Sequence, residues 1–151
     1  MTTIQDRCQS WRVANQRIVF TNGCFDLLHY GHLHYLYQAR DLGDVLVVGL
    51  NANASVSRLK GAHRPIKDEK TRMYLMAALS CVDALVVFPE DTPLKLIECV
   101  QPDVLVQGGD WNISQIVGAD FVLAQGGKVK TLAFVEGYST SLLEQKIKDQ
   151  S

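Results

Sequence analysis

Phe20-Thr21-Asn22-Gly23-Cys24-Phe25-Asp26-Leu27-Leu28-His29-Tyr30-Gly31-His32 carries the chain out of an apolar strand and into the start of a helix, with two imidazoles at the junction. The first-turn N–H groups of a helix lack intrahelical partners and lie at the positive end of its macrodipole, so an anion is favoured there before any side chain acts. Gly31 keeps the turn open for close approach. His29 and His32, at spacing i and i+3, fall on one face and can donate ring N–H bonds to the same phosphate. A bare His-x-x-His also suits zinc. The strand end before it and the helix start around it make the whole string read as a phosphate-handling site. Neither a Gly-x4-Gly-Lys loop nor a Gly-x-Gly-x-x-Gly fingerprint occurs in the chain.

Outward from this stretch, strands and helices alternate. Ile4, Cys8 and Trp11 suggest a short opening helix, and 17–21 form the first strand. Residues 33–42 read as helix, 44–50 as a continuously apolar buried strand, and 68–80 as helix with Asp68 as N-cap. The third strand is 82–88. Asp91-Thr92-Pro93 opens a helix that ends near Pro102, and 103–107 make the fourth strand. Residues 113–125 read as one helix stopped by Gly126-Gly127, 128–135 as the fifth strand, and Ser139 caps a last helix reaching Lys148. This alternation predicts a Rossmann-like, doubly wound five-stranded parallel sheet with helices on both faces. Ligands in such folds bind beyond the strand carboxyl ends where the strand order reverses. The unusual polar residues follow those ends: the two histidines after strand one, Asn51 and Asn53 after strand two, Asp110-Trp111 after strand four, and Ser139-Thr140-Ser141 after strand five. Their convergence requires strands one and four to be neighbours.

Composition agrees with one compact enzyme domain. The chain has 151 residues, 47% hydrophobic and 21% charged, with a net charge of −1, enough to bury a core within a single domain spanning 1–151, with 1–16 as an N-terminal helical extension. No block of like charge marks a nucleic-acid or membrane partner. No apolar run approaches the roughly 20 residues that span a bilayer, and no signal-peptide core opens the chain, so a cytoplasmic protein is expected. Cys8, Cys24, Cys81 and Cys99 are scattered without a C-x-x-C and read as reduced thiols. Cys24 has no base in its flanking pattern and reads as a small residue filling a tight turn.

From about residue 15 to 148 the chain resembles the cytidylyltransferase-like branch of HxGH nucleotidyltransferases, most closely the heptose 1-phosphate adenylyltransferase (ADP-heptose synthase) domain. Phe20 to His32, Arg58-Leu59-Lys60-Gly61, Arg64-Pro65, Glu90-Asp91-Thr92-Pro93-Leu94, Gly108-Gly109-Asp110-Trp111 and Ser139-Thr140 carry the resemblance in order. It implies transfer of AMP from ATP to D-glycero-D-manno-heptose 1-phosphate, giving ADP-heptose and pyrophosphate for lipopolysaccharide core synthesis. His29, His32 and Lys60 are the implied catalytic residues. Thr21, Asn22, Gly23, Phe25, Gly31, Arg72, Gly109, Asp110, Trp111, Ser139 and Thr140 are the implied nucleotide-binding set, and Asp26, Asn53 and Arg64 the acceptor-binding set. Mg²⁺ is expected to be held mainly by the ATP phosphates and water, without a dedicated protein site.

Several of these residues have a second reading. Lys60, with Arg58, Arg64 and Lys67, could be a solvated basic loop; Arg72 could be a surface ion pair. Ser139 can cap a helix and bind β- and γ-phosphate at once. Trp111 either closes over base or ribose or is a core aromatic. Asp26 is expected to order its turn. Phe134 and Val135 stand where polyol-phosphate cytidylyltransferases place an arginine, which argues against CTP. Gln107 and Asn53 replace a Lys and an Asp usual in the heptose branch, which leaves room for a different sugar phosphate. The rivals are a glycerol- or ribitol-phosphate cytidylyltransferase and a non-catalytic nucleotide-binding module. The resemblance also implies a homodimer. A sugar kinase is often fused to this domain in the family, and one sheet already takes up the 151 residues, so a separate upstream kinase and phosphatase are expected to supply the acceptor.

Overall fold

The computed structural model describes residues 3–151; Met1 and Thr2, part of the expected N-terminal extension, lie outside them. The order is α1 (Ile4–Val13), β1 (Ile18–Gly23), α2 (Tyr30–Arg40), β2 (Val45–Asn51), α3 (Asn53–Lys60), α4 (Glu69–Ala77), β3 (Ala84–Phe88), α5 (Leu94–Val100), β4 (Val104–Gly108), a 3₁₀ turn at Ile113–Gln115, α6 (Ala119–Ala124), β5 (Lys128–Leu132) and α7 (Thr140–Asp149). The sheet is entirely parallel in the order β3-β2-β1-β4-β5. Strands β1 and β4 are therefore neighbours, and the order reverses between them.

Alternation along each strand divides the core. Ile18, Phe20, Val45, Val47 and Leu105 face one side, where they meet Cys8 of α1, Leu96, Ile97 and Val100 of α5, and Ala119 and Val122 of α6. Val19, Leu46, Val48, Leu50 and Val106 face the other, against Leu36 and Ala39 of α2 and Met76 of α4. A sheet buried on both faces needs apolar residues at successive positions, which is why β2 reads as an unbroken hydrophobic run. Asp103 fixes the start of the β1–β4 junction: its Oδ2 accepts the Ile18 N–H at 2.8 Å and its own N–H donates to the Ile18 carbonyl at 2.8 Å.

Four expectations change. Residues 113–125 are not one helix, because Gly118 adopts φ +86 and a Cβ there would lie 2.7 Å from Ile97 Cδ1, so the chain breaks to pack on α5. Strand β5 ends at Leu132 rather than Val135, leaving 133–135 free to turn towards the ligand side. The polar stretch ending at Lys60 is a helix, α3, with Ser55 and Val56 buried; so little of its face is apolar that periodicity does not reveal it. The N-terminal helix is part of the core and not an appendage, since Cys8 is fully buried in it.

Candidate active site

Helix α2 opens in an unusual way. His29 is its N-cap, with Nδ1 accepting the Gly31 N–H at 3.1 Å, and His32 reaches back so that its own Nδ1 accepts the His29 N–H at 3.2 Å. Two imidazoles thus fill the roles usually taken by Ser and Glu in a capping box. With Nδ1 accepting, the ring proton of each neutral imidazole resides on Nε2, and both residues are left with one fixed donor. Burial lowers the His29 pKa. Burial, then the neighbouring His29 and Lys60, lowers that of His32 to about 4. Both rings are therefore neutral donors near pH 7. They lie 3.9 Å apart between centroids, and the Phe25 ring meets His32 edge-on at 5.6 Å. Phe25 itself sits at φ +47, a left-handed conformation rare outside glycine and enriched at functional sites. Gly31 lines the cavity onto which these rings open, and its amide is bonded to His29 Nδ1.

The imidazoles open onto a cavity of about 510 Å³ beyond the carboxyl ends of β1 and β4. The strand ends contribute Asn22, Gly23, Gln107 and Gly108, and Gln107 Nε2 donates to Asn22 Oδ1 at 2.9 Å. Lys60, at the last turn of α3, and Arg64 supply positive charge. Phe134, Tyr138, Ser139 and Thr140 line it from the last loop and the start of α7, where Ser139 Oγ accepts the Leu142 N–H at 3.0 Å as an N-cap. Cys24 also lines the cavity, and burial raises its thiol pKa against the pull of Lys60, Arg72 and Arg64, so it is a poor nucleophile.

Asp26 lines the cavity but its carboxylate is spent internally. It is almost fully buried, and it accepts from Arg64 Nε at 2.8 Å, the Ile66 N–H at 2.7 Å and the Lys67 N–H at 2.8 Å. Burial pushes its pKa up, but the two backbone N–H groups and the guanidinium outweigh it and hold the acid below its ordinary range. Asp26 therefore orders the 64–67 loop, with both carboxylate oxygens engaged by internal donors. Arg64 is different: only 7% exposed, it has an Nη2 with no partner, and it faces the cavity.

Other sequence-selected residues fall outside the cavity. Thr21 is fully buried, bonded to the Tyr35 hydroxyl at 2.6 Å and to the Val106 carbonyl at 2.9 Å, so it supports the floor instead of meeting nucleotide. Arg72 is neither a surface ion pair nor a cavity residue. It is fully buried and clamps two chain segments by donating to the carbonyls of Cys24 and Asn51 and to Asn53 Oδ1. Asn53 is exposed and gives its Oδ1 to that clamp. Gly109 lies behind the Phe134 ring, and Asp110 and Trp111 do not line the cavity; Trp111 is 54% exposed, so it is not a core aromatic either. Sequence reasoning passed over Tyr138 and Tyr35. Tyr138 approaches the His29 ring at 6.4 Å, and its place immediately before the Ser139 cap was the available signal. Tyr35 gave none, because as a helical aromatic it reads as core.

The reversal point between β1 and β4, the paired neutral imidazoles, the basic wall and the helix start together define a nucleotidyltransferase domain. The chain belongs to the Cytidylyltransferase-like family, whose profile matches residues 20–145. It is 57% identical over 132 residues to the bifunctional protein HldE of Citrifermentans bemidjiense, a match that covers 87% of this chain and 27% of that protein. It is 55% identical over 133 residues to the HldE of Helicobacter pylori strain Shi470, covering 88% and 28%. The chain thus spans little more than a quarter of the length of these curated relatives. Among solved structures it is similar to the lipopolysaccharide core biosynthesis protein of Thermoplasma volcanium GSS1, 31% identical with a TM-score of 0.63, covering 82% of this chain and 99% of that one.

Proposed function

We propose that the domain transfers AMP from ATP to D-glycero-D-manno-heptose 1-phosphate, releasing pyrophosphate and forming ADP-heptose for lipopolysaccharide core synthesis. The observation that carries the reading is the pair of neutral imidazoles whose Nδ1 atoms are both occupied by backbone N–H groups, leaving two Nε2–H donors at the cavity. The acceptor's phosphate oxygen attacks the α-phosphorus in line, the bond from that phosphorus to the β-bridging oxygen breaks, and pyrophosphate departs with the electron pair. No proton acceptor and no covalent enzyme intermediate are required. Catalysis rests on alignment and on fixed donors aimed at charge that grows on the phosphoryl oxygens.

In this scheme the His29 and His32 donors and Lys60 stabilise the charge passing through the α- and β-phosphates. Ser139, Thr140 and the start of α7 hold the β- and γ-phosphates, and Arg64 receives the acceptor phosphate. Among the described residues no three His, Cys, Asp or Glu side chains gather to hold a metal, and both oxygens of the Asp26 carboxylate are engaged by internal donors. This donor set suits Mg²⁺ carried in on the triphosphate and water, where it would supply charge neutralisation. In this proposal a kinase and a phosphatase prepare the sugar 1-phosphate acceptor. Among the described residues no helix is long and apolar enough to cross a membrane, and action in the cytoplasm, as a homodimer, completes the proposal.

The test is pyrophosphate release with ATP or CTP against heptose 1-phosphate, heptose 7-phosphate and glycerol phosphate. Release from ATP with heptose 1-phosphate alone is the expected result. Release only from CTP with a polyol phosphate would move the domain to the cytidylyl branch, and none from any pair would make it a binding module.

A further inference from the structure

Helix α7 brings Ser139 and Thr140 to the cavity yet is lightly anchored along its own length. None of its residues from Thr140 to Asp149 is buried, and Leu142 and Ile147 are more than half exposed. Among the described residues, one side-chain hydrogen bond joins α7 to another element: Arg64 Nη1 donates to Glu144 Oε1 at 2.7 Å. The same guanidinium gives its Nε to Asp26 Oδ2 at 2.8 Å, and Asp26 in turn secures the loop through Ile66 and Lys67. A guanidinium is planar, so two carboxylates gripping Nε and Nη1 also fix the direction of Nη2. That third nitrogen is buried and unpartnered in a residue lining the cavity. A buried cationic donor without an acceptor is costly, so the position of this guanidinium depends on the two carboxylates that hold its other nitrogens.

We infer that Glu144 is a positioning residue, which through Arg64 holds the phosphate-binding start of α7 in register with the His29–His32 pair. The inference rests on the proposed nucleotidyl transfer. It assigns to a charge five residues past the Ser139 cap a task that local helix chemistry does not require, because capping is already met by Ser139 itself. Without Glu144, α7 retains its cap but loses its tie to the loop carrying Arg64, and the triphosphate meets a helix start that is no longer held in place.

The effect is read by titrating the full chain with α,β-methylene ATP and Mg²⁺, alongside steady-state kinetics and thermal unfolding. Glu144→Ala is expected to weaken analogue binding about tenfold and to raise KM for ATP by a similar factor with a smaller fall in kcat. Glu144→Gln, which keeps an acceptor oxygen, is expected to recover to within about threefold of wild type. Because Glu144 is partly exposed on a helix without buried residues, thermal midpoints should stay within a few degrees of wild type. Glu144→Asp, which draws the carboxylate back by one methylene, should fall between Gln and Ala, and it tests the idea if Ala folds poorly. Equal analogue affinity in wild type and Glu144→Ala would overturn the inference alone. So would a loss that Gln does not recover. A wild-type chain that takes no analogue would overturn the proposed function and this inference together.

Discussion

The imidazoles of His29 and His32 face each other at 3.9 Å, each with Nδ1 held by a main-chain N–H of the turn that begins α2. Donors fixed by the backbone need no reorganisation when charge develops on a phosphoryl oxygen, and this is where an enclosed site gains most over water. His29→Ala and His32→Ala should each remove about 2–4 kcal/mol of transition-state stabilisation, seen as a fall in kcat far larger than any change in ATP affinity. Near wild-type turnover in a folded double variant would refute the assignment.

The depressed pKa of His32 sets a pH dependence. An unfolded histidine takes up its proton near pH 6.5, whereas His32 in the folded chain resists until about 4. Between those values the unfolded state binds more protons, so stability is complete above pH 6.5 and declines as pH falls towards 4. The Asp26 carboxylate, held below its ordinary range, adds a further loss at more acidic pH. Urea unfolding across pH 4 to 7.5 measures the slope, and His32→Asn should flatten its upper part.

Gly31 tests how tightly the imidazole pair is set. A Cβ at this position would lie 2.9 Å from both Cε1 and Nδ1 of His29 and 3.2 Å from Tyr138 Cβ. Gly31→Ala should therefore displace the His29 ring while leaving α2 helical, lowering kcat at least roughly tenfold with little change in stability. Unchanged kcat would mean that the His29 ring position is not critical.

Arg72 separates a structural role from a functional one. Truncation to Ala leaves the buried Asn51 carbonyl, and the partly buried Cys24 carbonyl and Asn53 Oδ1, without their donor, and should cost roughly 2–5 kcal/mol of stability by denaturant unfolding. ATP affinity in the fraction that remains folded should be close to wild type. A selective loss of ATP binding with normal stability would restore Arg72 to the nucleotide site.

Base preference is expected to favour ATP over CTP by at least roughly tenfold in kcat/KM, because a purine site and a pyrimidine site differ in shape and hydrogen bonding. Phe134 and Val135 line the cavity with apolar side chains. Competition kinetics with the same acceptor measure the ratio, and equal rates would refute it.

The sheet was legible because buried parallel strands advertise themselves. Ile18 to Phe20 and Val45 to Leu50 are apolar without interruption, and the intervening helices follow from capping residues such as Asp68, whose side chain accepts the Thr71 N–H at 2.7 Å. Helix α3 was not legible, since its polar surface leaves only Ser55 and Val56 inside. The break at Gly118 was hidden for another reason: it answers to Ile97, a residue on a different helix.

By itself the sequence determined the parallel α/β class, the order of its elements and the location of the two histidines at a strand-to-helix junction, because each depends on neighbours within a few positions. Only the tertiary structure decided which polar side chains meet the cavity. Arg64 and Arg72 are both arginines in the same polar stretch, yet one lines the site and the other locks the carbonyl ends of two loops. The difference lies in partners far away in the chain: Arg64 is held by Asp26 and Glu144, 38 and 80 residues distant, and Arg72 by Cys24 and Asn51, 48 and 21 residues distant. Local periodicity records whether a side chain is buried. It carries no record of which donor or acceptor the fold will bring within hydrogen-bonding distance.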